Sequence, residues 1–185
     1  MNNNLVGKKI YLREFAEQDW VDVHQYASQE KVSKYQPWGP NTEEASQAFV
    51  NQVLLDAEVT PRTRFVYAIM EKLNEKLIGA VELNIRDAAN RNGEIGYIVH
   101  PDFWGLGVAT EAAKLTIEFG FTTLRLHRIY ATCDPRNSAS SKILEKLGMT
   151  KEGKMRENLL IKDGWRDSYL YSVLDREWDL TQEYS

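Results

Sequence analysis

The sequence predicts a mixed α/β protein built on one central, mostly antiparallel sheet. Three alternating apolar and polar runs, at 64–71, 76–85 and 94–99, follow one another through short connections, as the strands of a meander do. The next strand-like run, 127–133, is reached through a helical segment, so it should lie parallel to the one before. Between and around the strands lie segments whose apolar residues recur at helical spacing.

Lys9 to Phe15 alternates, with Ile10 and Leu12 on one face and Tyr11 and Arg13 on the other, and reads as the first strand. Asp19 is placed to cap a short helix to about Ser28, and Thr42 to cap a second one to about Glu58. The loop between them, KYQPWGPN, holds two prolines and Gly39, yet also the large Trp38, a residue for a pocket wall or a packed lid. Lys72 to Glu75 turns the hairpin between the second and third strands, and Arg86 to Asn92 is a polar connection to the fourth.

The stretch from Gly93 to Phe121 organises the rest. In its strand Ile95, Tyr97 and Val99 share one face, and Glu94, Gly96 and Ile98 the other. His100-Pro101 stops it. A Trp-Gly-Leu-Gly loop then opens into a helix with Val108, Ala112, Leu115 and Phe119 toward the core and Glu111, Lys114 and Glu118 toward water. Gly105 and Gly107 remove side chains where the helix begins. Backbone N–H groups without intrahelical partners can therefore face an anion, which the helix dipole favours; a phosphate is the natural guest.

Beyond the strand at 127–133, Asn137 or Ser138 can cap a helix whose Ala139, Ile143, Leu144 and Leu147 face the core, with Gly148 as its left-handed stop. Glu152 to Asn158 and Arg166 to Leu174 then pair across a turn at Lys162-Asp163-Gly164.

With 185 residues, 43% hydrophobic and 27% charged, the chain suits a single globular domain over 1–185 that needs no metal or disulfide. Its net charge of −4 argues against nucleic acid as the main partner. Cys133 is the one cysteine, and His24, His100 and His127 lack metal-ligand spacing, so no metal is expected. With no apolar h-region at the start and no membrane-length apolar run, no membrane is expected and the location should be cytoplasmic.

These motifs resemble the GCN5-related N-acetyltransferase (GNAT) superfamily, in its RimJ/RimL-like branch of ribosomal-protein and small-amine acetyltransferases. The resemblance rests on Leu12-Arg13, Glu94-Ile95-Gly96-Tyr97, Trp104 to Ala112, Asn137-x-x-Ser140, Leu144 to Met149, Gly164 to Asp167 and Arg176-Glu177-Trp178. Trp104 stands where most of the superfamily has Gln or Arg, as is common in this branch. The resemblance implies the GNAT acyl-CoA N-acyltransferase fold, with helices on both faces of the sheet, and acetyl-CoA as cosubstrate. It implies that Gly105, Leu106, Gly107, Val108, Ala109 and Thr110 hold the pyrophosphate. The pantetheine arm would lie along Ile98 and Val99, where the fourth and fifth strands splay apart, and Asn137 would contact the coenzyme or cap its helix.

An amine nucleophile must lose a proton, so a carboxylate general base is needed. Glu94 matches a position where a number of these enzymes carry a catalytic glutamate; a surface glutamate is the rival reading. The tyrosine many members use to assist the leaving thiolate corresponds to Leu144, and Ser140 resembles the serine proposed for that role in RimL-like enzymes. A serine bonding only within its helix is the rival there. Cys133 reads as a core residue rather than a nucleophile, and His100 and His127 as structural.

The expected activity is direct acetyl transfer, in a ternary complex, to a protein N-terminal α-amine or a small primary amine. The alternative is a non-catalytic or weakly catalytic acyl-CoA-binding regulatory module. A dinucleotide-binding oxidoreductase is disfavoured, because Thr110 occupies the third glycine position. The acceptor pocket should draw on the two early helices, the 36–41 loop and the 158–165 hairpin. The closing hairpin, with Trp165, Tyr169 and Tyr171, is a candidate homodimer contact, although core packing accounts for those aromatics equally.

Overall fold

The computed structural model describes residues 4–162 and 164–178. In chain order the elements are β1 (Leu5–Val6), β2 (Ile10–Arg13), α1 (Trp20–Ala27), α2 (Glu30–Ser33), α3 (Glu43–Glu58), β3 (Arg64–Glu71), β4 (Lys76–Asp87), β5 (Asn92–Val99), α4 (Val108–Thr122), β6 (Arg128–Cys133), α5 (Ser138–Lys146), β7 (Thr150–Ile161) and β8 (Gly164–Leu174). The strands form one sheet in the order β1-β2-β3-β4-β5-β6-β8-β7. Every neighbouring pair is antiparallel except β5 and β6, which are joined by the α4 crossover and run parallel.

Alternation along the strands makes two cores. Ile10, Leu12, Ile69, Val81, Leu83, Ile95 and Val99 meet α4 and α5 on one face. Val66, Ala68, Met70 and Ala80 meet Val23 and Tyr26 of α1 and Val50 and Val53 of α3 on the other. Because α4 is buried on more than its expected stripe, Ala113, Thr116 and Ile117 are also enclosed. Gly120 lets it approach the sheet: a Cβ there would stand 2.6 Å from Ile129 Cδ1. Thr42 caps α3 as expected, its hydroxyl accepting from the Ala45 amide at 3.2 Å.

Several elements depart from expectation. The pair of residues in β1 is too short to show alternation, and α2 is a single turn. Asp19 does precede α1, but its carboxylate binds the Arg13 guanidinium at 2.6 and 2.9 Å and the Ala16 amide at 2.7 Å instead of capping. Ala139, expected to face the core, is exposed; α5 buries only Leu144 within its span. The last hairpin is longer than read, and Asp163 of its expected turn lies outside the described residues.

Candidate active site

The parallel strands β5 and β6 pair only at Asn92↔Arg128, Gly93↔Ile129 and Glu94↔Tyr130, and then part. Which backbone groups face the opening follows from the β4 ladder. The His100 amide donates to the Ile78 carbonyl at 2.7 Å, and Ile98 opposes Ala80, Gly96 opposes Glu82, and so on in register. Alternate residues therefore bond to β4, and the backbone groups of Tyr97 and Val99 point into the gap with no ladder partner. The Trp104 indole Nε1–H donates to the Val99 carbonyl at 2.8 Å and so ties the following loop to the end of the strand.

In that loop Gly105 (φ 77°) and Gly107 (φ 82°) are left-handed, and a Cβ on either would meet nothing within 4 Å. Backbone conformation, not crowding, selects glycine here. The Trp104 amide bonds back to Pro101 and the Glu111 amide to Gly107, while those of Gly105 to Thr110 have no partner among the described residues. Lys9 braces the loop from behind, its Nζ donating to the Leu106 carbonyl at 2.9 Å and its amide to Glu111 at 3.0 Å. The result is a row of free donors at a helix N-terminus, next to an open strand edge.

A cleft of about 1150 Å³ lies over the gap, with walls from α1, α3, the loop around Trp38 and the β7–β8 hairpin. Glu94, Ile98, Asn137 and Ser140 line it; Val99 and Gly105–Thr110 lie outside its lining. Glu94 is three-quarters buried and its Oε2 accepts from Arg86 Nε at 2.7 Å. Its charge also adds to the burial that pushes the neighbouring Tyr130 phenol pKa up. Glu82, opposite Gly96 on the same face, accepts from Arg64, which also holds Asp56 at 2.8 Å. Asp134 is buried under Arg136 at 2.8 Å.

Above the gap, the Ser140 Oγ stands 3.1 Å from the Tyr97 hydroxyl, and the Ser140 amide donates to Asn137 Oδ1 at 3.1 Å. Asn137 thus caps α5 while lining the cleft. Cys133 also lines the cleft; burial pushes its thiol pKa up, against nucleophilic use. His100 accepts from the Asp102 amide and His127 pairs with Asp175 at 3.2 Å, both outside the cleft lining. Among the described residues no group of three His, Cys, Asp or Glu side chains could hold a metal ion. Sequence reasoning missed Tyr97, Glu82 and Arg86 as cleft residues. Alternation had placed Glu94 and Tyr97 on opposite faces, but nothing in it says that both faces become accessible where a sheet splits.

A family profile described as "Acetyltransferase (GNAT) domain" matches residues 9–150. The chain is 35% identical over 177 residues to the uncharacterized N-acetyltransferase YnaD of Bacillus subtilis, covering 95% of this chain and 99% of that protein. It is 31% identical to the spermidine N(1)-acetyltransferase of Escherichia coli K12, over 91% of this chain and 88% of that one. Mycobacterium smegmatis RimJ, solved in complex with CoA-disulfide, superposes with a TM-score of 0.81 at 26% identity, over 94% of this chain and 85% of that one.

Proposed function

The chain belongs to the GNAT acetyltransferase family, and from that premise we propose that it transfers the acetyl group of acetyl-CoA to a primary amine by direct attack in a ternary complex. The observation that carries this reading is the open edge of β5 continuing into the unpartnered amides of the Gly105–Thr110 loop. The loop donors fit a pyrophosphate. An amide-bearing arm fits the edge as an added strand, with Tyr97 and the Val99 N–H as its partners. Ile98 offers its side chain only, because its backbone belongs to β4.

The acetyl carbon would then sit over the gap. An arriving ammonium must give up a proton before its lone pair can attack, and Glu94 is the base, directly or through a water. The N–C bond forms, the tetrahedral intermediate collapses, the C–S bond breaks with its electron pair on sulfur, and Ser140 donates a hydrogen bond to the thiolate. Arg86, whose Nε bonds the Glu94 carboxylate at 2.7 Å, orients it until the amine displaces it.

The acceptor is a single amine, such as a protein N-terminal α-amine, rather than a polyamine. Each carboxylate lining the cleft is already engaged by an arginine: Glu82 by Arg64, Glu94 by Arg86 and Asp134 by Arg136. A polycation such as spermidine would have to displace several of them at once. The test is thiol release from acetyl-CoA against N-terminal peptides, monoamines and polyamines, comparing the parent with Glu94→Gln. The reading expects one monoamine or peptide class to turn over, and the substitution to lower kcat about 100-fold or more with little change in coenzyme binding. Tight acetyl-CoA binding with no acceptor in a broad panel would instead make the chain a binding module.

A further inference from the structure

We propose that Tyr97 is a positioning residue for Ser140, turning the serine hydroxyl toward the sulfur of bound acyl-CoA so that the two together stabilise the departing thiolate. The inference rests on the acetyl-transfer reading above and adds a residue from the strand to a role first assigned to the helix.

A hydroxyl has one proton to give. The Tyr97 hydroxyl can donate only to Ser140 among the described residues, either to Oγ at 3.1 Å or to the backbone carbonyl at 3.4 Å. If it donates to Oγ, the serine proton is released and must point elsewhere. The place left for it is the gap, which both residues line. Ser140 cannot easily retreat, because Asn137 holds its amide in the first turn of α5. Tyr97 is equally fixed, its backbone forming the gap edge and its ring packed against the core under α4. Burial raises the Tyr97 phenol pKa, so it stays protonated and remains a donor throughout the neutral range.

No proton need pass to sulfur. A thiolate is far less basic than this phenolate, so the chain Tyr97 O–H to Ser140 Oγ, Ser140 O–H to sulfur stabilises the charge by hydrogen bonding alone. The thiolate takes its proton from water after release, and the proton from the amine leaves through Glu94.

The measurement uses reduced CoA and the intact protein. The thiol pKa of bound CoA is read from thiolate ultraviolet absorbance, as a difference from the CoA-free protein, for the parent, Tyr97→Phe and Ser140→Ala. Both variants keep the packing, since one loses only a hydroxyl and the other leaves the Asn137 cap intact. In the parent the bound thiol should titrate below free CoA, and each variant should raise it by about one pH unit, with the double variant no worse than the larger single effect. Turnover should follow, kcat falling about tenfold in Tyr97→Phe while KM for acetyl-CoA stays within about threefold. A bound pKa equal to that of free CoA, or one that moves in Ser140→Ala but not in Tyr97→Phe, overturns the proposal while leaving the acetyltransferase reading in place. Failure of CoA to bind the parent overturns both.

Discussion

Replacing Gly107 with alanine separates the cost of the loop conformation from the loss of the anion seat. Gly107 has φ 82° and precedes the first residue of α4, and an added Cβ would touch nothing within 4 Å. The folded-state cost is therefore the left-handed backbone alone, about 1–2 kcal/mol. For a chain of this length that lowers Tm by roughly 2–8 °C. Relief of the strain requires the Gly105–Gly107 segment to turn, which re-aims the amides leading into Val108, Ala109 and Thr110. Loss of one hydrogen bond to a charged phosphate costs about 1.5–3 kcal/mol, so Kd for CoA should rise about tenfold or more. Gly148→Ala is the control: it is also left-handed (φ 73°) with open space at its Cβ, but it ends α5. Differential scanning fluorimetry and calorimetric titration with CoA read both quantities. Equal Tm losses with CoA affinity intact in Gly107→Ala would refute the assignment of the loop as the phosphate seat.

Gly120→Ala puts a methyl 2.6 Å from Ile129 Cδ1 and 3.0 Å from Leu83 Cδ2, and should cost about 1–3 kcal/mol in denaturant titration; no change would mean that α4 can move off the sheet freely. Trp104→Phe removes the indole bond to the Val99 carbonyl. Stability should fall by about 1 kcal/mol or less, yet KM for acetyl-CoA should rise several-fold as the loop loses its anchor; unchanged KM would count against that anchoring. Burial works to raise the Asp134 carboxyl pKa, but bonds from the Arg136 side chain and amide outweigh it and hold it below the usual range. Its contribution to stability is thus present above the unfolded pKa of about 3.9 and is lost as pH falls through the folded value. Asp134→Asn should therefore be less stable than the parent at neutral pH and show a shallower acid decline below about pH 5, with a steeper decline as the contrary result.

The parts of the fold legible in the sequence were those set by local physics. Alternation marked β3, β4 and β5 because each has one face on each core, and Thr42 and Asn137 announced their helices because a side-chain oxygen must meet an orphan amide. The glycines before α4 announced the start of a helix with open amides, while their left-handed conformation emerged only in the structure. Illegible elements were those whose pattern is weak or whose partner is remote. β7 was read only over 152–158 of its Thr150–Ile161 span, because most of it is exposed and carries little alternation. Asp19 looked like a cap, but Arg13 on the neighbouring strand outcompetes the helix for it. Ala139 fits a helical stripe, yet it is exposed, because α5 buries only Leu144 within its span. Of the candidate site, Glu94 and Ser140 were proposed from the resemblance, whereas the loop was read as an anion seat from Gly105 and Gly107 themselves. The Tyr97–Ser140 contact spans 43 positions and depends on where β5 and β6 part, which no local pattern encodes.

The central claim is that the gap between β5 and β6, with the loop that follows it, seats acyl-CoA. Amide hydrogen exchange with and without CoA tests it at single residues. The account predicts new protection at Tyr97 and Val99 and from Gly105 to Thr110, with little change at Ile98, whose amide already faces β4. CoA that binds while those amides exchange at their free rates, or that protects another surface, would contradict it.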